Sequence, residues 1–403
     1  MPHSASLPRA YDQRMCSAQK SLLRHTFAGA VLLLAACGGE TVPAESRTSE
    51  RLGAAPVQRG DAGFSVSFSG RVPRLKGPPP DTVRVSRFLA RGEEFGDISQ
   101  VFLVDRYLLA MDPYVDPHLA VIDRKTGMLT ARVGRHGRGP GELQAPRWAF
   151  VSSRAPLEAK VYDFQNRALT TVRVEESGKA TIRHDRSLNV GAALESPTVI
   201  GSTVVSNGLF PDHTLLVAGL DGKPLAQIVA DPPFDERAMP HVVGRRQLNR
   251  NFLATDPGRT RIVLAYQWRP RIDFFTAEGV RYGSVTGPRE TKPSFRLEGS
   301  RFFWNPDNVM AYVRATATDA AVYALFCGCS LESNGLPRTV HVFRWNGDFV
   351  GEFVLDREVR SIAVSEDGSE LYGSFVDPEP GLGVWKIPAK FHPAPTSDGE
   401  PAP

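Results

Sequence analysis

The chain has few cysteines and no apolar stretch long enough to cross a membrane. Its 403 residues include four cysteines, too few for a framework of disulfides. The apolar run at residues 27–36 spans ten residues, about half of what a bilayer requires. No stretch shows the periodicity of a convincing amphipathic helix. The fold must therefore rest on a hydrophobic core, and the short β-like runs along the chain predict an all-β protein.

A large charge of one sign is also absent. The formal net charge is +4, but residues 1–36 hold four basic residues and one acidic residue, so the rest of the chain carries +1. Overall basicity therefore gives no support for binding to nucleic acid, and we expect no nucleic-acid partner.

Common enzyme motifs are missing as well. The chain has no His-Glu-x-x-His or Cys-x-x-Cys spacing, no Gly-x-Ser-x-Gly ahead of a helix and no calcium-loop pattern. We therefore predict no metal, no cofactor and no catalytic residue.

The first residues predict an export signal. Arg14, Lys20 and Arg24 precede the apolar run, and small residues follow it. A basic region, a short apolar region and small residues together indicate a cleaved signal peptide over residues 1–36.

The sequence Leu-Ala-Ala-Cys at residues 34–37 resembles the lipobox of bacterial lipoproteins. The resemblance implies that Cys37 is acylated and becomes the first residue after cleavage, so that acyl chains anchor the protein in the cell envelope. The residue after Cys37 is Gly38 and not aspartate, and in this respect the sequence resembles lipoproteins that are sorted to the outer membrane. The resemblance implies a position on the periplasmic or the surface side of that membrane. The alternative is an ordinary secreted protein whose cleavage site happens to precede a cysteine.

The remaining chain divides by composition. Residues 37–80 and 391–403 are poor in large apolar side chains, which predicts a flexible linker and a disordered tail. Residues 81–390 repeat two alternating apolar runs joined by a polar turn. The glycines that close these turns are Gly127, Gly178, Gly222, Gly279 and Gly347. Two further strand-like runs precede each pair, which makes a meander of about four strands, the size of one propeller blade.

A sixth set of strands, from about residue 359, lacks one member. The run at residues 81–89 has no partner of its own, and pairing it with the last set would remove an exposed sheet edge. The sequence therefore predicts a monomeric six-bladed β-propeller of four-stranded antiparallel blades, whose last blade is closed by an N-terminal strand.

The stretch VGRHGRGPGELQAPRW, residues 133–148, invites comparison with phosphate-binding loops. Pro140 stands where a P-loop requires lysine, the glycine spacing differs from a dinucleotide fingerprint, and no helix is predicted to follow. We interpret the stretch as the turn from the outer strand of one blade to the inner strand of the next.

Residues 134–146 within that stretch resemble a signature of six-bladed β-propeller lipoproteins, relatives of the NHL and TolB-like propellers. Leu143 stands where that family usually has an aromatic residue. Together with the blade rhythm, the resemblance covers most of residues 81–390. It implies the fold and no particular activity.

Long insertions at residues 134–146, 231–250, 288–308 and 327–338 should emerge on one face, which we call the long-loop face. Function often resides in long loops, and arginine forks suit carboxylates and other anions. The candidate ligand-binding residues are Arg135, His136, Arg138, Arg245, Arg246, Trp268, Arg269, Arg301 and Arg338. The alternative is that these arginines are solvated loop charges paired with acidic neighbours.

Cys327 and Cys329 are the thiols left after processing. On a strand, both side chains would point to one face, too close for an unstrained disulfide, and as thiolates they could supply half of a soft-metal site. We favour two small, half-buried cysteines in a strand.

Two functions are compatible with these features. The favoured one is a non-catalytic binding or scaffold module, anchored by its lipid, whose long-loop face and central channel bind an envelope protein, a peptide or an acidic glycan. The alternative is a metal-dependent propeller enzyme, a lyase, lactonase or hydrolase, that uses histidines and carboxylates of the channel.

Overall fold

The computed structural model describes residues 68–77, 81–92, 94–190, 193–210, 212–229, 241–299, 301–333 and 335–392. The predicted signal peptide, Cys37 and most of the predicted linker and tail lie outside these residues. Within them, antiparallel strands dominate, so the all-β prediction is confirmed.

The strands form six four-stranded blades in chain order. The first segments are β1 (Thr82–Val83), β2 (Val85–Arg91), then blade 1 with β3 (Gln100–Val104), β4 (Tyr107–Met111), β5 (Leu119–Asp123) and β6 (Leu129–Val133). Next come β7 (Arg135–His136), β8 (Glu142–Leu143) and blade 2 with β9 (Pro146–Arg154), β10 (Leu157–Asp163), β11 (Ala168–Val174) and β12 (Ala180–Ser187). Blade 3 contains β13 (Thr198–Ile200), β14 (Thr203–Ser206), β15 (His213–Gly219) and β16 (Pro224–Val229).

The second half repeats the pattern. A short helix, α1 (Val242–Leu248), precedes blade 4 with β17 (Asn251–Thr255), β18 (Arg261–Tyr266), β19 (Arg271–Thr276) and β20 (Arg281–Thr286). A hairpin of β21 (Phe295–Glu298) and β22 (Arg301–Trp304) precedes blade 5 with β23 (Tyr312–Ala317), β24 (Ala321–Phe326), β25 (Thr339–Arg344) and β26 (Phe349–Leu355). Blade 6 contains β27 (Ser361–Val364), β28 (Glu370–Phe375) and β29 (Gly381–Lys386), and a 3-10 turn, Ala389–Phe391, follows.

The N-terminal run is divided between two blades. β2 pairs antiparallel with β29 as the outermost strand of blade 6, with Val85 opposite Trp385 and Arg91 opposite Gly381. β1 instead pairs in parallel with β26 at the outer edge of blade 5. The sequence predicts one strand for this run, whereas the structure divides it between blades 5 and 6.

Apolar clusters fill the interfaces between neighbouring blades, one for each of the six interfaces. Between blades 6 and 1, for example, Ala363 and Tyr372 share a cluster with Leu108 and Ile122. The two faces of a blade are thus both buried, which explains the nearly continuous apolar runs in the middle strands. The first strands of blades 4, 5, 6, 1 and 2 contact one another in that succession and surround the axis of the ring.

Residues 68–77 belong to the folded unit, which corrects the predicted linker boundary at residue 80. The Phe68 ring lies against Gly283 and Gly347, where a Cβ atom would collide with it. Arg71 binds the carboxylate of Asp348, with Nη2 at 2.9 Å from Oδ2, and this bond holds the pKa of Asp348 below its ordinary value. One aromatic ring and one ion pair fix a segment whose average composition is that of a linker.

Two smaller differences from the sequence prediction concern local structure. Phe391, the first residue of the predicted tail, is buried against Phe353 of β26. The helix α1 was not expected from the sequence, because seven residues are too few to show a helical repeat. It buries Gly244 and Leu248, one turn apart, on a single side.

Candidate ligand-binding site

The long loops share one face because each blade is an antiparallel meander. Connections between blades, and turns from the second to the third strand of a blade, all reach the end at which the first strands begin. Residues 134–145 and 287–311 connect consecutive blades, and residues 327–338 join β24 to β25. The described parts of the long insertions therefore lie on the long-loop face.

The glycine-rich stretch forms the turn from β6 to β9. Gly134 and Gly141 have φ values of +79° and +81°, which glycine adopts without strain. The Glu142 carboxylate accepts a hydrogen bond from the Gly139 amide at 2.7 Å. The loop thus holds its own carboxylate where a phosphate-binding loop would hold a phosphate, and a strand follows it.

Arg135, His136 and Arg138 are exposed on this turn. Arg138 Nε donates to Gln144 Oε1 at 2.9 Å, and the His136 amide donates to Asp116 Oδ1 at 2.8 Å. These contacts lie within the loop or between it and blade 1, so they shape the loop itself.

The other predicted residues are spread over separate loops. Arg245, on α1, pairs with Asp212 at 3.2 Å, while Arg246 beside it is exposed. Arg301 is exposed at the start of β22. Arg338 is exposed, and its Nε donates to the Leu355 carbonyl at 3.1 Å.

Trp268 anchors the β21–β22 hairpin. Its ring lies 4.2 Å from the ring of Trp304, and the residue is 3% exposed. The guanidinium of the adjacent Arg269 lies 4.3 Å from the ring centre of Tyr266. Because its faces are covered, Trp268 does not offer the open aromatic platform that the sequence suggested.

Cys327 and Cys329 lie in a loop after β24 and are joined by a disulfide, which corrects the interpretation as free thiols in a strand. Gly328 between them has a φ of +63°, so the chain turns where a strand would continue. The two Cα atoms are 5.1 Å apart, within the usual span of a disulfide.

A group of charged residues lies where the first strands of five blades begin. Arg314 is on β23, and Arg250 and Arg360 directly precede β17 and β27. Arg360 Nε lies 2.8 Å from an Asp97 oxygen, and Arg250 Nε lies 3.7 Å from a Glu195 oxygen. We call this group, Asp97, Glu195, Arg250, Arg314 and Arg360, the arginine cluster.

The arginine cluster has an excess of positive charge. The pKa of Arg314 is lowered to about 10, chiefly by burial; Arg250 and Arg360 act in the same direction, and Glu195 opposes them. Burial also raises the pKa of Asp97 above its ordinary value, against the effect of Arg360. The Asp112 carboxylate also acts on Asp97. Around Arg314, however, two further guanidinium groups face the single carboxylate of Glu195, which favours a further anion beside Arg314.

Several polar atoms at this site have no partner within the described part of the chain. Arg314 Nη2 donates to the Ser99 carbonyl at 3.0 Å, but its Nε is buried without a hydrogen bond. Asn207 Nδ2 donates to the Asn251 carbonyl at 2.7 Å, and the side-chain oxygens of both asparagines are buried without a donor. Such atoms normally find partners in water or in a ligand.

None of the cluster residues is among the sequence candidates. The sequence signal for these residues was a charged side chain within or just before the first strand of a blade. Examples are the arginine of YVRATA, which is β23, and the arginine of VRSIAVS, which directly precedes β27. Loop length favoured candidates at the rim of the long-loop face, whereas the arginine cluster lies at the axis of the ring.

No group of three or more His, Cys, Asp or Glu side chains suited to a metal ion occurs among the described residues. In the same residues, no helix is long and apolar enough to cross a membrane.

The fold and the charged residues around its axis define a six-bladed propeller with a polar axial site. A family model described as TolB-like 6-blade propeller-like matches residues 131–367, more than half of the chain. The chain belongs to this family of TolB-like six-bladed propellers.

Solved structures with the same fold are distant in sequence. A Bacteroides fragilis protein thought to be exported matches with a TM-score of 0.52 at 10% identity, over 78% of this chain and 98% of that chain. A DUF4221 family member from Bacteroides vulgatus matches with a TM-score of 0.47 at 13% identity, over 74% of this chain and 94% of that one. The likeness to the Bacteroides fragilis protein shows the fold alone. The comparison with curated proteins found no match.

Proposed function

We propose that the chain is an exported binding module whose arginine cluster binds the carboxylate of a ligand. The observation that carries this proposal is the half-buried Arg314 guanidinium, whose Nε is buried without a hydrogen bond to any described residue and whose pKa, beside Arg250 and Arg360, is lowered to about 10. A ligand carboxylate would supply the missing negative charge and accept from the Arg314 Nε. Its own N–H or O–H groups would reach Asn207 and Asn251.

The surrounding fold supports binding at this position. The six blades form a rigid ring, and the first strands present the charged residues at its axis, as in other propellers with a central channel. Arginine pairs with a carboxylate through two parallel hydrogen bonds, which gives direction as well as affinity. Export agrees with the signal-like sequence at residues 1–36 and with the exported relative in fold.

Arg314→Gln is expected to weaken binding of N-acetylalanine by about tenfold or more, because hydrogen bonds to charged groups contribute about 1.5–3 kcal/mol. Binding is measured by calorimetry on the purified chain from Gly38 onward. N-acetylalanine amide, which lacks only the charge, should bind weakly to both proteins. Arg246→Gln removes an exposed arginine from the same face and should leave binding unchanged. Equal binding of acid and amide, or equal losses in both variants, would contradict the proposal.

We propose further that lipid on Cys37 holds this module on the outer membrane. The support is the Leu-Ala-Ala-Cys sequence that follows the apolar run. Cys37→Ser is expected to move the protein from the detergent phase to the aqueous phase in Triton X-114 partitioning of bacterial lysates. Cys16→Ser, in the predicted leader, is the matched control and should leave partitioning unchanged. A Cys37→Ser protein that has lost residues 1–36 and still enters the detergent phase would exclude acylation as the anchor.

A further inference from the structure

A cavity of about 450 Å³ opens between blades 2 and 3, apart from the residues of the arginine cluster. Its walls come from the turn between β10 and β11, from the start of β9 and from the segment before β13. The larger side chains that line it are Arg147, Tyr162, Phe164, Gln165 and Arg167. A cavity of this size accommodates one or two sugar rings.

Two arginines at the cavity have no acidic partner within the described residues. Arg147 and Arg167 are both exposed, and the Arg147 guanidinium lies 4.6 Å from the ring centre of Phe164. The nearby Asp163 carboxylate is buried and already accepts the backbone N–H groups of Gln144, Ala145, Gln165 and Asn166. Because these bonds occupy its oxygens, Asp163 holds the turn together and leaves the arginines to face the cavity.

Arg167 occupies its place against a conformational preference. Its φ is +47°, a left-handed conformation that costs a non-glycine residue energy. The turn needs this conformation, since the Arg167 carbonyl accepts the Leu188 N–H at 2.6 Å, and glycine would supply it without strain. Arg167→Gly therefore removes the side chain from the cavity and keeps the turn.

Tyr162 forms the floor of the cavity and is 2% exposed. Burial raises its pKa to about 12, against the effects of Arg167 and Arg147, so its hydroxyl keeps its proton at neutral pH. That hydroxyl has no hydrogen bond to any described residue. It is therefore available to a ligand in the cavity, which Arg147 and Arg167 also line.

We propose that this cavity is a second binding site and that it takes a carboxylated sugar ring, a uronate. The carboxylate binds the guanidinium groups of Arg147 and Arg167. The ring carbons pack beside Phe164, and the ring hydroxyls bond to Tyr162 and to the Gln165 amide. A simple inorganic anion uses only the arginines, whereas a uronate uses the aromatic and amide groups as well. The site is independent of the carboxylate site at the arginine cluster.

The test is titration of D-glucuronate into the purified chain, with D-glucose and acetate as probes that lack the charge and the ring. A single sugar ring with one carboxylate, held at an exposed site, should bind with a dissociation constant on the order of 1 mM. Glucose and acetate should each bind at least about tenfold more weakly. No glucuronate binding at tens of millimolar, or acetate binding as tight as glucuronate binding, would overturn the proposal.

Variants separate a role in binding from a role in folding. Arg167→Gly should raise the melting temperature, because it relieves the left-handed strain, and should weaken glucuronate binding at least about tenfold. Arg147→Gln should weaken binding without the gain in stability. Arg183→Gln, which changes an exposed arginine on β12 of the same blade, is the matched control and should retain glucuronate binding. Unchanged binding in both cavity variants would overturn the proposal, as would a lower melting temperature of Arg167→Gly together with normal binding in Arg147→Gln. Loss of binding in Arg314→Gln alone would place glucuronate at the arginine cluster and would also overturn it.

Discussion

A chain that begins at Gly92, and so lacks β1 and β2, is expected to melt about 10 °C or more below a chain that begins at residue 68. Without β2, the strand β29 becomes an exposed edge of blade 6. Leu89, which is 7% exposed, is also lost from the cluster between blades 6 and 1. Loss of one buried leucine side chain alone costs about 2–5 kcal/mol, and the paired backbone groups of β29 lose their partners in addition.

Thermal unfolding followed by circular dichroism checks this expectation. A chain that begins at Asp81 keeps β1 and β2 and loses only the segment that packs on blades 4 and 5, so it should melt between the other two. A synthetic peptide of residues 81–92 should raise the melting temperature of the shortest chain. If the chains that begin at Asp81 and Gly92 melt together, blade 6 does not depend on the N-terminal strand.

Glu352→Ala is expected to lower the free energy of unfolding by about 3–5 kcal/mol, because it removes one partner from a buried charged network. Glu352, on β26, is 4% exposed and accepts from Arg289 Nε at 2.8 Å. The Nε2 of His341, which is fully buried, lies 3.2 Å from the same carboxylate. The Nδ1 of His341 lies 3.1 Å from the Tyr312 hydroxyl. Without the carboxylate, a guanidinium and an imidazole are left in the core without the acid that faces them.

Chemical denaturation at pH 7.5 measures this loss. Glu332→Ala, in an exposed position of the loop between β24 and β25, is the matched control and should change the free energy of unfolding by no more than about 0.5 kcal/mol. A loss below about 1 kcal/mol for Glu352→Ala would mean that water reaches the network and replaces the carboxylate.

The same network should make the protein sensitive to acid. Burial lowers the pKa of His341 below its ordinary 6.5, although Glu352 opposes the effect. Burial raises the pKa of Glu352, but contacts with His341 and Arg289 outweigh it and hold the value below 4.5. The folded chain therefore binds fewer protons at these groups than the unfolded chain, so stability falls as the pH drops below about 6.5 and falls further below about 4.5. His213, whose pKa burial lowers to about 4, acts in the same direction, so His341→Gln should remove only part of the upper loss.

Local sequence patterns predicted the blades because each blade is formed by neighbouring parts of the chain. The five glycines chosen from the repeat all have positive φ values, between +75° and +85°, as tight turns between the third and fourth strands require. The glycine-rich stretch at residues 134–146 likewise forms a turn between blades, as its Pro140 and its glycine spacing indicated. In these places the residue types that permit the turn are visible in the sequence itself.

The candidate site was less accessible to sequence reasoning because its residues are far apart in the chain. Asp97 and Arg360 lie at opposite ends of the folded unit, and they meet only because the ring brings blade 6 beside blade 1. Trp268 resembled a ligand platform, but packing against Trp304 covers it. The disulfide of Cys327 depends on the left-handed turn at Gly328, whereas an extended strand was the expected local structure.

The sequence by itself determined the number of blades, the turns within them and the positions of the long loops along the chain, since alternation, turn glycines and insertions are local properties. Only the tertiary structure decided which charges share the axis, which loops carry exposed arginines around a cavity, and which N-terminal residues join blades 5 and 6. Each of these depends on contacts between distant segments, and burial in the ring then sets the pKa and the hydrogen-bonding partners of the side chains that meet there.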